Sequence, residues 1–261
     1  MLSPSYPGWT CSSPTININM QNYLSDLYKK LSGKMKLGRQ RAEMLMLELG
    51  HPEAAFSSIH IAGTNGKGTV TTVAAAILQE LGYKTGKFTS PHLLQFNERI
   101  SVGGKEISDD YIKTFLDTHD DLLEKSEASF FEVTTALGFQ YFKDQAVDIA
   151  VVETGLGGRL DATNVVDKPA VTVITPVSID HQQFLGDTLE KIAFEKAGII
   201  KRGVPCVFGP QEEAAMEVIE KVAARLGAPL IVYGQHWHVG EERGRLVYQD
   251  ETGLLDLPMP N

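Results

Sequence analysis

Short β-branched runs alternate with longer stretches of helical apolar spacing along most of this chain. Leu24, Leu27, Tyr28 and Leu31 recur at helical intervals from Asn22, and after a turn at Ser32-Gly33 a second helix is expected from Gln40 to Leu49. Ile59 to Ile61 is the first strand, followed by a glycine-rich turn and a helix over Val70 to Leu81. Lys84 to Thr89 reads as a strand. Arg99 to Val102 and Lys105 to Ile107, joined by Gly103-Gly104, read as a hairpin. Helices are predicted over Asp109 to Glu124 and Phe130 to Lys143. Then come strand Asp148 to Val152, strand Ala170 to Thr175, helix Thr188 to Ile200, strand Val204 to Phe208, helix Glu212 to Leu226 and strand Pro229 to Val232. Trp237 to Asn261 reads as a small β meander. Strands alternating with helices predict an α/β fold with a mostly parallel sheet covered on both faces, and ligands at the carboxyl ends of its strands.

Composition narrows this modestly. The 261 residues carry 24 Lys plus Arg against 33 Asp plus Glu, a formal charge of −9, which argues against nonspecific nucleic-acid binding. No apolar run approaches the roughly 20 residues that span a bilayer, so no membrane partner is expected. Cys11 and Cys206 show no metal-ligand spacing and fit a reducing cytoplasm, Cys206 as a buried strand residue. Residues 1–19 hold Pro4, Pro7 and Pro14 without a secretory layout. They read as a disordered extension, as sequence upstream of a start at Met20, or as a segment packed on the surface.

The chemistry concentrates in four segments. Gly63, Thr64, Asn65, Gly66, Lys67, Gly68 and Thr69 link strand to helix, a geometry in which backbone N–H groups and the helix N-terminus cradle phosphates. Lys67 would neutralise charge and Thr69 would reach phosphate or Mg²⁺. The loop is shorter than the common GxxxxGK[ST] pattern, and the bland alternative is a turn that binds nothing. FTSPH (Phe88 to His92) sets Ser90 just past a strand. VVETGLGGRLDATN (Val151 to Asn164) sets Glu153 at a strand end, where a carboxylate facing the P-loop suits Mg²⁺. SIDHQQFLGDTLEKIAFEKAGI (Ser178 to Ile199) puts His181 on a loop and Lys196 on the next helix. Taken singly, Glu153 also reads as a solvated carboxylate, His181 reads first as a surface residue, and Lys196 is uninformative on what could be an ordinary charged helix face.

The segments GTNGKGT, FTSPHLLQFNERI, SFFEVTTALGF, ETGLGGRLDATN and DHQQFLGDTLEKIAFEKAGII occur in one order over roughly Met20 to Asn261. Together they closely resemble the folylpolyglutamate synthase and dihydrofolate synthase family of Mur-ligase-like ATP-dependent amide ligases. The glycine after the P-loop lysine distinguishes this family from the cell-wall Mur ligases.

The resemblance implies a P-loop ATPase domain of the Mur central-domain type. It implies ATP, Mg²⁺ as two ions, a folate or dihydropteroate and L-glutamate as ligands, and a monomer as the expected state. Thr64 to Thr69 would hold the triphosphate, and Ser90, Glu153 and His181 would bind metal. Lys196 would match a carbamylated lysine, so that Lys67, Lys196 and His181 form the catalytic set. Ser129, Phe130, Phe131 and Glu132, with Leu160, Asp161 and Ala162, would contact the pterin side. An aromatic such as Phe131 at helical spacing also reads as core. The loop Leu37-Gly38-Arg39 is a further candidate contact.

In the family a Gly-x-His-Gln segment and a second Rossmann-like domain follow the LPMPN found here at Leu257 to Asn261. The expectation is therefore the N-terminal ATPase domain of a folate ligase. The rivals are a stand-alone ATP-binding module and another P-loop enzyme such as a nucleotide kinase or GTPase, for which ETGLGGRLDATN and EKAGI have no role.

Overall fold

A computed structural model describes residues 38–259. The extension over 1–19, Met20, Cys11, the helix expected from Asn22 and Leu37 lie outside the described residues. The first described element, α1 (Gln40–Glu48), buries Ala42, Leu45 and Met46. Strand β1 (Ser57–Ala62) leads through Gly63 to Gly66 into α2 (Lys67–Glu80), which begins at Lys67, three residues earlier than apolar periodicity predicts. The early start has a physical reason. Gly66 at the N-cap adopts φ 82, which frees the chain to turn at once into the helix.

Strand β2 (Thr85–Phe88) follows, and β3 (Ile100–Val102) with β4 (Lys105–Glu106) make the predicted hairpin. Gly103 and Gly104 both have positive φ, 58° and 77°, as a two-residue primed turn requires. The single helix expected over Asp109 to Glu124 is two: α3 (Asp109–Thr118) and α4 (Asp120–Ser126), broken at His119. Asp120 and Asp121 oppose the negative end of a continuing helix but favour the first turn of a new one. Next comes α5 (Phe130–Asp144), then β5 (Ile149–Glu153) and β6 (Val171–Ile174). A short α6 (Gln182–Leu185), which the apolar pattern is too brief to announce, precedes α7 (Leu189–Ala197). Helix α7 stops short of the predicted Ile200. Strand β7 (Cys206–Phe208), α8 (Glu213–Leu226) and β8 (Leu230–Val232) complete the alternation, and Cys206 is buried as expected. The meander is β9 (Trp237–Glu242), β10 (Arg245–Asp250) and β11 (Gly253–Pro258), an antiparallel three-stranded sheet.

The main sheet runs β4-β3-β2-β5-β1-β6-β7-β8. It is parallel from β2 to β8, with β3 and β4 antiparallel at one edge. Strand β1 therefore lies between β5 and β6, although both follow it by many residues. Alternation sorts the side chains. Ile61 and Val151 meet Ala75 of α2 on one face. On the other face Ala150 and Val152 join an aromatic-rich core with α1 and α5, while Ile174 joins a second core with α7 and α8. Among the described residues no helix is long and apolar enough to cross a membrane.

Candidate active site

The P-loop is held open by its neighbour across the sheet. Thr64 and Asn65 donate their backbone N–H groups to Pro176 O at 3.0 and 3.3 Å. Thr64 Oγ1 donates to Ser178 O (3.1 Å), and Ser178 N donates back to Thr64 Oγ1 (3.0 Å). Gly63 is obligatory here, because a Cβ would fall 1.8 Å from Thr175 Oγ1. Asn65, Gly66 and Thr69 remain exposed around the start of α2. The backbone N–H groups of Gly66 and Thr69 and the helix N-terminus provide the local geometry that receives phosphate oxygens, while the Asn65 N–H is spent on the Pro176 brace.

Two ammonium groups converge on one carbonyl in this loop. Lys67 Nζ donates to Gly63 O (3.1 Å) and Thr64 O (3.2 Å), and Lys196 Nζ donates to Gly63 O at 2.7 Å. Lys196 is only 4% exposed, so it is not part of an ordinary charged helix face. Burial first, then the positive charge of Lys67, lowers its pKa to about 8. The ETGLGGRLDATN loop clasps the helix that carries it. Arg159 N donates to Glu195 O (2.7 Å), the Arg159 guanidinium pairs with Glu195 (2.8 Å), and Asn164 Nδ2 donates to Gly198 O.

Glu153 ends β5 beside this loop and is 3% exposed, which excludes a solvated loop carboxylate. Its Oε2 accepts the Ser90 backbone N–H at 3.1 Å and would lie 3.5 Å from a Cβ on Gly68. Burial raises its pKa, opposed by the Ser90 N–H and by the charges of Lys67 and Arg99. A carboxylate beside a serine is an oxygen-donor set of the kind Mg²⁺ prefers. Among the described residues no three His, Cys, Asp or Glu side chains converge as a metal cluster. His181 is more open than Glu153: its side chain is half exposed, its backbone is left-handed at φ 49, and Asp180 lies 3.6 Å away.

Beyond Ser90 opens a cleft of about 420 Å³. Ser90 and His181 line it together with Ser129, Phe131, Glu132, Leu160, Asp161 and Ala162. Ser129 and Glu132 also form the capping box of α5, and Glu132 pairs with Arg41 of α1 at 3.0 Å. The Phe131 ring meets the edge of Phe88 at 6.1 Å while flanking the cleft, so it is wall and core at once. Phe130 departs from expectation. It is absent from this lining, and its ring packs on Phe96 at 5.8 Å. The α5 helix turns successive residues about 100° apart, which sends Phe130 and Phe131 different ways. Asp161 is buried, accepts N–H groups from Leu156 (2.8 Å) and Thr163 (3.0 Å), and has its pKa raised by burial.

The profile of the Mur ligase middle domain matches residues 61–255. The chain belongs to that family. Its relatives include dihydrofolate synthases and folylpolyglutamate synthases. The dihydrofolate synthase/folylpolyglutamate synthase of Bacillus subtilis (strain 168) is 44% identical over 216 residues, covering 80% of this chain and 50% of the relative. The folylpolyglutamate synthase of Lacticaseibacillus casei is 37% identical over 239 residues, covering 86% and 56%. A structure of E. coli FolC in complex with DHPP and ADP superposes with a TM-score of 0.86 at 34% identity, covering 92% of this chain and 58% of that one. The chain thus spans about half the length of the curated relatives it matches.

For this Mur ligase middle domain, residue-by-residue expectation missed part of the cleft wall. Gly38, Pro91, Arg99, Gly155 and Leu156 line it too. Gly38 comes from the 37–39 loop named as a candidate contact, whereas Arg39 turns away to donate to Asn164 O (3.0 Å). Arg99 reads in sequence as the first residue of a hairpin strand. In the fold its Nε donates to His92 Nδ1 (2.8 Å), and its guanidinium stands 5.9 Å from the Phe96 and Phe130 rings. The signal was available: an arginine within an apolar strand pattern is costly to bury without a partner.

Proposed function

We propose that residues 20–261 form the ATP-binding domain of an ADP-forming ligase that joins L-glutamate to the carboxylate of a folate or dihydropteroate. One observation carries this reading. The Glu153 carboxylate lies between Gly68 of the P-loop and Ser90 at the head of the cleft, so a nucleotide site and an acceptor site share a single buried acid. The family membership and the ADP named in the E. coli complex support ATP as the nucleotide.

In the proposed reaction an acceptor carboxylate oxygen attacks the γ-phosphorus of ATP, and ADP leaves. The glutamate amine then attacks the activated carbonyl carbon, and phosphate leaves as the amide forms. Thr64 to Thr69 wrap the phosphates, Gly66 to Thr69 with backbone N–H groups, while the Thr64 and Asn65 N–H groups brace the loop on Pro176 O. Lys67 exchanges its two loop carbonyls for phosphate oxygens and neutralises the charge spread over the transferred group. Phe131, Leu160 and Ala162 offer the apolar wall for a pterin ring, and Asp161 supplies an acceptor for its N–H edge. Ser90, Glu153 and His181 would hold Mg²⁺, two ions in this reading. When bound, that metal screens the phosphate charge and lowers the cost of bringing two anions together. Lys196, uncharged in part near neutral pH because of burial, would take up CO₂ as a carbamate and become a further oxygen donor.

The test is ADP release by the protein in the presence of L-glutamate with dihydropteroate or tetrahydrofolate. Release that requires both glutamate and an acceptor is the expected result. Nucleotide binding without any acceptor dependence would favour a stand-alone binding module, and hydrolysis indifferent to every folate would favour another P-loop enzyme.

A further inference from the structure

Strand β1 turns Ser58, His60 and Ala62 toward the sheet face that carries both large cores, between the aromatic core on the β5 side and the aliphatic core on the β6 side. His60 is wholly buried there, three residues before the P-loop. Its Nε2 lies 2.8 Å from Thr163 Oγ1, and Thr163 Oγ1 lies 2.5 Å from Asp161 Oδ1. Its Nδ1 is buried with no partner.

The protons in this chain can be assigned from the donor inventory. An ionised Asp161 only accepts, so the Thr163 hydroxyl proton points at it. The hydroxyl lone pairs then accept from His60, which places the imidazole proton on Nε2 and leaves Nδ1 bare. The opposite tautomer would present a naked Nε2, draw the hydroxyl proton away from Asp161, and bury an unpaired N–H. Burial keeps the ring neutral, its pKa lowered to about 3, so both tautomers are the relevant alternatives. A histidine kept only to fill space is the weaker account. An aliphatic side chain would fill this strand position without a stranded nitrogen.

We infer that His60 is a positioning residue: through the Thr163 hydroxyl it fixes the orientation of the Asp161 carboxylate that lines the cleft, and so sets acceptor affinity from the strand that carries the P-loop. Asp161 reaches the cleft wall; Leu156 N holds its Oδ2 and Thr163 N its Oδ1, so the relay acts on the Oδ1 side beside one backbone N–H. The inference rests on the reading of the cleft as a pteroate site.

The experiment measures dihydropteroate and AMPPCP affinity by calorimetry in the wild type, His60→Leu, His60→Gln and Thr163→Val, with ¹⁵N NMR of the His60 ring. Expected are an Nε2–H tautomer and a rise of roughly tenfold in dihydropteroate Kd for His60→Leu and Thr163→Val, the scale of one charge-assisted hydrogen bond. AMPPCP Kd should stay within about twofold, a nucleotide site being built from other groups. His60→Gln, whose amide can still donate, should recover most of the loss. Equal weakening of both ligands, or no recovery with Gln, would reduce His60 to a structural residue and overturn the inference. A wild type that binds AMPPCP but no dihydropteroate would sink the acceptor reading instead. The ring tautomer then decides the relay by itself, and a proton on Nδ1 would overturn it.

Discussion

On the face of the sheet that carries α1 and α5, the two sides of β1 are built from different materials. Toward β5 and β2 the core is aromatic, with Phe88, Phe139 and Phe142 fully buried and Phe56 set edge-on to two of them. Toward β6 and β7 it is aliphatic, with Ile174, Ile192 and Ile219, and Phe208 as its buried ring. The cleft opens over the aromatic side, where Phe131 stands on Phe88 as a rigid wall. The aliphatic side contributes the 176–178 brace under the P-loop and the buried Lys196. Flat rings hold a cavity open at little entropic cost, whereas branched aliphatics close up around a helix that must not move. On the proposed reading, this division makes acceptor recognition and nucleotide support separable, with Glu153 joining them.

Removing the junction should do the most. Glu153→Gln is expected to lower acceptor-dependent ADP release by about 10³-fold, roughly 4 kcal/mol of barrier, in steady-state assays. The same change should raise the melting temperature of the ligand-free protein by about 2–4 °C, the effect of about 1 kcal/mol in a domain of this size. Burial raises the pKa of Glu153, so its ionisation costs stability above the ordinary carboxylate range, and the amide avoids that cost. Near wild-type turnover would remove Glu153 from the site.

On the aliphatic side, Lys196→Ala should slow ADP release by roughly 10²-fold, with partial rescue by formate or acetate standing in for a carbamate. Failure of rescue would leave no support for the carbamate. The folded-state pKa near 8, against an ordinary 10.5, means the unfolded chain binds more protons across that interval. The contribution of Lys196 to stability therefore rises with pH through the window from about 8 to 10.5, and a thermal titration of wild type against Lys196→Met would reveal the difference.

Smaller still is the clasp. A Cβ on Gly198 would sit 2.2 Å from Arg159 Cβ. Gly198→Ala should then destabilise by about 2 kcal/mol and loosen nucleotide binding more than acceptor binding; an unchanged urea midpoint would show that the loop yields freely. Smallest is Phe131→Ala, which should weaken dihydropteroate by about 1 kcal/mol, or roughly fivefold, with AMPPCP affinity intact. Weakening of both ligands alike would dissolve the proposed separation of the two sides.

Much of this molecule is legible in one dimension. The alternation of β-branched runs with helical spacing predicts the parallel sheet, and the Gly63 to Thr69 turn marks its phosphate-cradling end. Where reading fails, a non-local or electrostatic effect intervenes. His119 divides a helix because Asp120 and Asp121 suit a helix start and not a helix end. Phe130 and Phe131 are neighbours in sequence, yet only the helical turn decides which faces the cleft. Arg99 looks like the start of a hairpin until the 90–99 loop folds over and His92 receives its Nε–H.

What the chain determined by itself are the features written in adjacent residues: element types and order, the Gly-Gly turn, the phosphate-cradling loop, and the family signature. Each depends on periodicity or on dihedral preferences within a few positions, and these need no knowledge of the rest of the chain. What only the tertiary structure decided are the meetings across the sheet: Ser90 with Glu153 across 63 residues, His60 with Thr163 across 103, Lys196 with Gly63 across 133. Strand order sets these encounters. Inserting β1 between β5 and β6 puts the first glycine-rich turn beside acids and cations from much later in the chain. That order is chosen by the total burial of both sheet faces, which no local window contains.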